Sequence, residues 1–303
     1  MKYEFKTSDV YDFANAHGYE TQINLYGVDY VVEGSNTPLA ELKPKEATEI
    51  DKQIAGHIVE RIPSHSTLQL GIGALPNYIG KLIAQSDIRN VEGHTEMLTD
   101  AYVDLFEAGK LTGNKPRDRG KAVYTFAGGT KRLYDFIDDN PICCSAPVDY
   151  VNDISVSGSI PNFISINSCI GVDLYGQVCS ESAGHQQISG TGGQLDFVMG
   201  AYRSKAGHSF LCTPSTRMNK NGKLYSNITP LLPRGAIVTT PRMAVDFIVT
   251  EYGAVDLNKR LVAAVTHGVD GFGHRTFSHA GLPGDEDVGT GVSGVLHQRP
   301  DPL

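Results

Sequence analysis

The chain has 303 residues, of which 40% are apolar and 20% charged, and its formal net charge is −8. That length buries a sizeable core in one large domain or two modest ones, and the composition excludes a disordered or fibrous chain. The acidic balance argues against a broad nucleic-acid surface, and no apolar run approaches the ~18 residues that a bilayer span needs. The opening residues, Met1–Lys6, hold no apolar stretch of the signal-peptide kind. Five cysteines, two of them adjacent at Cys143 and Cys144, match neither a disulfide framework nor paired zinc knuckles. A reducing cytoplasm is the expected setting.

Residues 1–22 show no periodicity. From Lys45, Ile50, Ile54, Ile58 and Ile62 recur every four residues, which predicts an amphipathic helix with all four on its buried face. An extended run, Ser66–Leu70, leads into the glycine loop Gly71-Ile72-Gly73 and then a helix from Asn77. A strand around Val91–Met97 precedes a helix from Thr99 to about Lys110, with Val103, Phe106 and Leu111 inward and Asp100 in the first turn. Lys110, Lys115, Arg117, Arg119 and Lys121 form a local basic cluster. Ala122–Phe126 reads as a strand, and Thr130 as the N-cap of a helix to Asp139. Phe163–Ile166 and Gly171–Leu174 are apolar and extended. Gly190-Thr191-Gly192-Gly193 opens a helix through Gln194–Arg203, and short buried strands are expected at Ser209–Cys212, Ala236–Thr240 and Phe247–Thr250. Strands alternating with helices predict an α/β fold with a mostly parallel sheet flanked by helices, whose ligands gather at the strand ends. The tail beyond Lys259 is rich in glycine and histidine and is expected to be irregular.

The first glycine loop leaves backbone N–H groups at a strand-to-helix turn, where they can meet an anion or a developing oxyanion. Glu96, in His94-Thr95-Glu96-Met97, lies one strand later. A carboxylate is ionised at neutral pH and attacks a thioester without a partner base. Gly190–Gly193 is a second source of backbone donors, and the side-chain amide of Asn152 or of Asn167 is a further donor for the same oxyanion. Other chemistries fit less well. No Gly-x-Ser-x-Gly elbow appears, and Ser157-Gly158-Ser159 lacks its flanks. Gly71-Ile72-Gly73 lacks the third glycine and the downstream acid of a dinucleotide fingerprint. The histidines, including His267, His274 and His279, follow no ligand spacing, so no metal is expected.

Several segments together resemble the acetyl-CoA hydrolase/transferase family, in particular its 4-hydroxybutyrate and butyryl-CoA:acetate CoA-transferases. They are Leu68–Gly73, His94–Met97, Gly129–Phe136, Pro147–Asp153, Ile166–Val178, Ser189–Phe197 and Val249–Gly253, in the family's order. The resemblance implies a CoA-transferase-like α/β domain of the NagB/RpiA type. It implies coenzyme A as the acyl carrier, a small carboxylate as co-substrate, and CoA transfer through a glutamyl thioester on Glu96. Asn152 and the backbone of Gly192 or Gly193 are then the oxyanion donors, while Gly71, Gly73, Gly190, Gly192 and Gln194 lie on the CoA side. Acyl-CoA hydrolysis and non-catalytic CoA binding are the alternatives. Family members are longer and are built from two similar halves, and this chain resembles the second. The expected organisation is a linker and remnant over 1–44, the catalytic domain over 45–260 and a tail over 261–303. Association with a second copy or a partner chain that supplies the other half is expected.

Overall fold

The computed structural model describes residues 5–6, 17–21, 25–32, 34–35, 37–43, 45–219 and 221–257. The tail expected to be irregular, with His267, His274 and His279, lies outside the described residues. The centre of the fold is an eight-stranded sheet: β1 (Thr67–Leu70), β2 (Glu92–Leu98), β3 (Ala122–Ala127), β4 (Cys143–Ser145), β5 (Phe163–Ser168), β6 (His208–Cys212), β7 (Phe247–Thr250) and β8 (Gly253–Asp256). Its order is β8-β7-β6-β5-β1-β2-β3-β4, parallel throughout except where β8 turns back on β7. The expected α/β architecture is therefore the observed one.

Among the described residues seven α-helices flank the sheet: α1 (Glu49–Val59), α2 (Ala74–Gln85), α3 (Asp100–Glu107), α4 (Lys131–Ile137), α5 (Val148–Val151), α6 (Ile154–Gly158) and α7 (Gln194–Arg203). Helix α1 begins at a capping box. The Asp51 N–H donates to Thr48 Oγ1 at 3.2 Å, and the Thr48 N–H donates to the Asp51 carboxylate at 2.8 Å, so two end donors are satisfied reciprocally. Ile54 and Ile58 are fully buried and Ile62 nearly so, each worth about 1.5–3 kcal/mol of burial. Ile50, in the first turn of α1, is exposed, against the four-residue pattern. Phe106 is also exposed at one edge and leans on Phe136 with ring centroids 5.0 Å apart.

Thr130 does precede α4, but its hydroxyl does not cap the helix. Its N–H and Oγ1 both donate to the Asp100 carboxylate, at 2.9 and 2.5 Å, which couples the starts of α3 and α4. The basic cluster is smaller than expected. Lys115 is buried, donates to the Lys121 carbonyl oxygen, and is pushed down to about 8 by desolvation. Ala236–Thr240 is not a strand. Thr240 makes a single bridge to Val178, and Ile237 and Val238 are exposed. All five cysteines are buried and unpaired, and burial raises the Cys143 thiol to about 12. Among the described residues no helix is long and apolar enough to cross a membrane.

The chain runs outward from β1 through β2, β3 and β4, then returns to place β5 on the other side of β1. That reversal is where parallel sheets open a crevice for ligands. Strands β1 and β2 pair only at Thr67–Glu92 and Leu68–Gly93, then part. Buried hydroxyls fill the gap: Tyr102 Oη donates to the Leu68 carbonyl oxygen and accepts from the Leu70 N–H, while Thr95 Oγ1 donates to the Leu70 carbonyl oxygen. On the opposite side of β1, Ser165 Oγ and Asn167 Nδ2 donate to Gln69 Oε1, and Gln69 Nε2 donates back to Asn167 Oδ1, at 2.7–3.1 Å. This closed polar network locks β1 to β5 beneath the crevice.

His94 lies in β2 with no exposed surface. Its Nε2–H donates to the Val151 carbonyl oxygen at 2.8 Å, and its ring meets Phe163 edge-on. Desolvation lowers its pKa from 6.5 to about 4, so the folded protein holds the neutral ring. The unfolded chain takes up that proton near pH 6.5 and the native state only near 4. The contribution is therefore complete above 6.5 and is lost as pH falls towards 4, an effect of about 3 kcal/mol. Urea denaturation between pH 7 and pH 4.5 is expected to show this loss, and an apolar residue at position 94 is expected to flatten that part of the pH dependence.

Candidate active site

Glu96 is the one position of β2 that is not buried. It follows His94 by two residues, so both side chains project from the same face of the sheet, towards α5 and α7. Among the described residues its carboxylate makes no hydrogen bond or ion pair. Helix α7 begins at Gly193, and a Cβ built there would strike Asn152 Nδ2, stand 2.8 Å from Glu96 Oε2 and 3.0 Å from Phe197 Cε2. The hydrogen of Gly193 thus leaves room for an amide donor and a free carboxylate to approach the same point. Glu96, Asn152 and Gly193 come from three separate parts of the chain, and the fold brings all three together.

Asn152 closes α5, with its N–H donating to the Val148 carbonyl oxygen at 2.8 Å. Its Oδ1 is buried and has no partner among the described residues. Asn167, the rival amide, is excluded by its bonds: both Nδ2 hydrogens are used, on Gln69 Oε1 and Ser165 Oγ. An asparagine followed by a serine in a strand reads alike whether its amide is free or committed, because the partner Gln69 lies 98 residues away.

Residues expected on the CoA side are less uniform. Gly71 packs close to β5, where an added Cβ would stand 2.9 Å from Asn167 Oδ1. Its N–H is not free as expected, since it donates to the Ile166 carbonyl oxygen at 2.8 Å. Gly73 has φ +125° and starts α2, and Ile72 between the two glycines is exposed at the crevice rim. Gly190 and Gly192 lie on an exposed loop with open space around them. Gln194 has its amide bonded to Thr240 Oγ1 at 3.0 Å.

Two acids went unnoticed in the sequence. Asp196, in the first turn of α7, is half-buried, and its pKa is raised by burial and then by the negative charge of Glu96. A position three residues inside a helix start was the available signal. Glu181 is buried and anchors the glycine loop: Thr191 Oγ1 and Gln187 Nε2 donate to its carboxylate, and the Ile188 and Ser189 N–H groups donate to its carbonyl oxygen. Nothing in the local pattern distinguishes Glu181 from a surface acid. Among the described residues no three His, Cys, Asp or Glu side chains gather as a metal centre would need.

This arrangement sets a half-buried carboxylate beside a side-chain amide and a helix N-terminus, on a strand of the parallel sheet. Residues 129–269 match the acetyl-CoA hydrolase/transferase C-terminal domain. The chain is 52% identical over 242 residues to the butyryl-CoA:acetate CoA-transferase of Anaerostipes caccae, covering 79% of this chain and 54% of that protein. It is 46% identical over 236 residues to the 4-hydroxybutyrate coenzyme A transferase of Clostridium kluyveri, covering 78% and 54%. Among solved structures, RipA from Yersinia pestis superposes with a TM-score of 0.79 at 36% identity, over 93% of this chain and 61% of that one. The chain spans about half the length of the curated relatives it matches. Through the domain these matches share, it belongs to the acetyl-CoA hydrolase/transferase family.

Proposed function

We propose that this chain transfers coenzyme A between a short-chain acyl-CoA and a carboxylate of the acetate, butyrate or 4-hydroxybutyrate class, with Glu96 as the nucleophile. The observation that carries the reading is the convergence of Glu96 Oε2 and Asn152 Nδ2 on the space left by Gly193. Glu96 attacks the thioester carbonyl, and the oxyanion that forms accepts from the Asn152 amide and a backbone N–H at the start of α7. Collapse expels the CoA thiolate and leaves a mixed anhydride. The thiolate then attacks the glutamyl carbonyl, which releases the first carboxylate and forms a glutamyl-CoA thioester. An acceptor carboxylate repeats the exchange in reverse, so the thioester bond energy is kept and Glu96 returns unchanged. Gly71, Gly73, Gly190, Gly192 and Gln194 border the path of the CoA chain in this reading. Similarity to the butyrate and 4-hydroxybutyrate transferases supports the substrate class.

Hydrolysis is a second reading, favoured by the partial exposure of Glu96. Water in place of the acceptor carboxylate turns transfer into hydrolysis. Release of free CoA from butyryl-CoA with and without acetate separates the two.

The chain is expected to form acetyl-CoA from butyryl-CoA and acetate. Glu96→Gln is expected to lower that rate by at least about 10³-fold while CoA binding by calorimetry is kept. Full activity in this variant, or CoA binding with no transfer by the wild-type chain, contradicts the proposal. Gly193→Ala places a methyl group against Asn152 Nδ2 and Glu96 Oε2. Its kcat is expected to fall about 100-fold with little change in thermal midpoint, and an unchanged kcat would remove Gly193 from the site.

A further inference from the structure

The Asn152 amide has no side-chain hydrogen bond among the described residues, so its direction is set by the backbone that carries it. That backbone is one helical turn, α5, and a four-residue helix does not hold its own shape in water. It is fixed from outside. Val151 is fully buried, and its carbonyl oxygen accepts from His94 Nε2 at 2.8 Å. Tyr150 donates to the Asp118 carboxylate at 2.9 Å and accepts from Arg117 Nε at 3.1 Å, a half-buried anchor one residue further from Asn152 than Val151. Asp153 begins the next helix by accepting from the Ser155 and Val156 N–H groups. The bond from His94 is therefore the buried attachment closest to Asn152.

His94 stands two residues before Glu96 on the same face of the same strand. Resting on the proposed transfer reaction, we infer that His94 is a positioning residue: its hydrogen bond to the carbonyl oxygen of Val151 ties the turn bearing the Asn152 amide to the strand bearing the Glu96 carboxylate. A carbonyl oxygen only accepts, so the bond requires the proton on Nε2. Nδ1 then carries a lone pair, and it has no partner among the described residues. The ring is also braced: His94 meets Phe163 edge-on at 5.9 Å, and Phe163 stacks on Phe197 at 6.3 Å. Phe197 in turn lies beneath Gly193. One run of contacts thus links the strand, the amide turn and the start of α7 without using a group that touches substrate.

Two variants separate the hydrogen bond from ring packing. His94→Phe keeps a ring against Phe163 and removes the donor, whereas His94→Gln keeps an N–H donor and removes the ring. The ¹⁵N and ¹H shifts of the Asn152 side-chain amide are measured beside kcat and KM for butyryl-CoA. In His94→Phe the amide pair is expected to move towards the values of an exposed asparagine, and kcat to fall at least about 10-fold with KM within about 2-fold. In His94→Gln both are expected to stay near wild type. An Asn152 amide unmoved in His94→Phe, or damage in the Gln variant alone, overturns the inference. In the wild-type protein, long-range ¹⁵N–¹H correlations are expected to show the Nε2–H tautomer, and an Nδ1–H tautomer overturns the inference without any variant. Full transfer by Glu96→Gln would instead overturn the reaction on which the inference rests, while the Asn152 shifts still report the positioning.

Discussion

A carboxylate that is to attack a thioester has to lie at the edge of the core, desolvated on one side and reachable on the other. Glu96 occupies such a place because strand β2 leaves β1 after Leu68–Gly93 and because Gly193 brings no side chain against it. Every other residue of β2 is buried. Were Gly193 any other residue, its Cβ would occupy the point that Asn152 Nδ2 and Glu96 Oε2 share. The position of the site follows from these two gaps, one in the sheet and one in a side chain.

Around the gaps the structure is held rigid by buried polar groups that satisfy one another. Gln69, Ser165 and Asn167 close a network between β1 and β5 below the crevice. Tyr102 and Thr95 bond the backbone of β1 where pairing with β2 stops. His94 reaches from β2 to the turn before Asn152. Buried polar groups with partners fix geometry, because leaving any one of them unpaired costs about 1–3 kcal/mol. The loop over Gly190 and Gly192 contrasts with this frame. It is exposed, and Glu181 holds it from below.

Much of this was legible in the sequence, for reasons that differ between elements. The strands β5, β6 and β7 announce themselves as short runs that are mostly buried, β3 by its apolar start, and α7 by the glycines before it. Glu96, Asn152 and Gly193 were singled out through the order of their motifs, since no local pattern says that three segments so far apart in sequence will meet. The errors are instructive. Ile50 and Phe106 fit a helical face and are nonetheless exposed, which periodicity does not report. Ala236–Thr240 is apolar enough for a strand, yet no neighbouring strand takes it up beyond Thr240. Asn167, Lys115 and the Gly71 N–H were read as available groups, and each is committed to a distant partner. Commitment of a polar group is a tertiary fact, and composition and spacing do not carry it.

The central claim is that Glu96 carries coenzyme A. Incubation with butyryl-CoA, reduction with borohydride and peptide mapping test it directly, because a glutamyl thioester takes up hydride and becomes an alcohol as CoA leaves. The peptide containing Glu96 is predicted to lose about 14 mass units, and no other acidic residue to change. An unmodified Glu96 in a chain that still binds CoA would contradict the account.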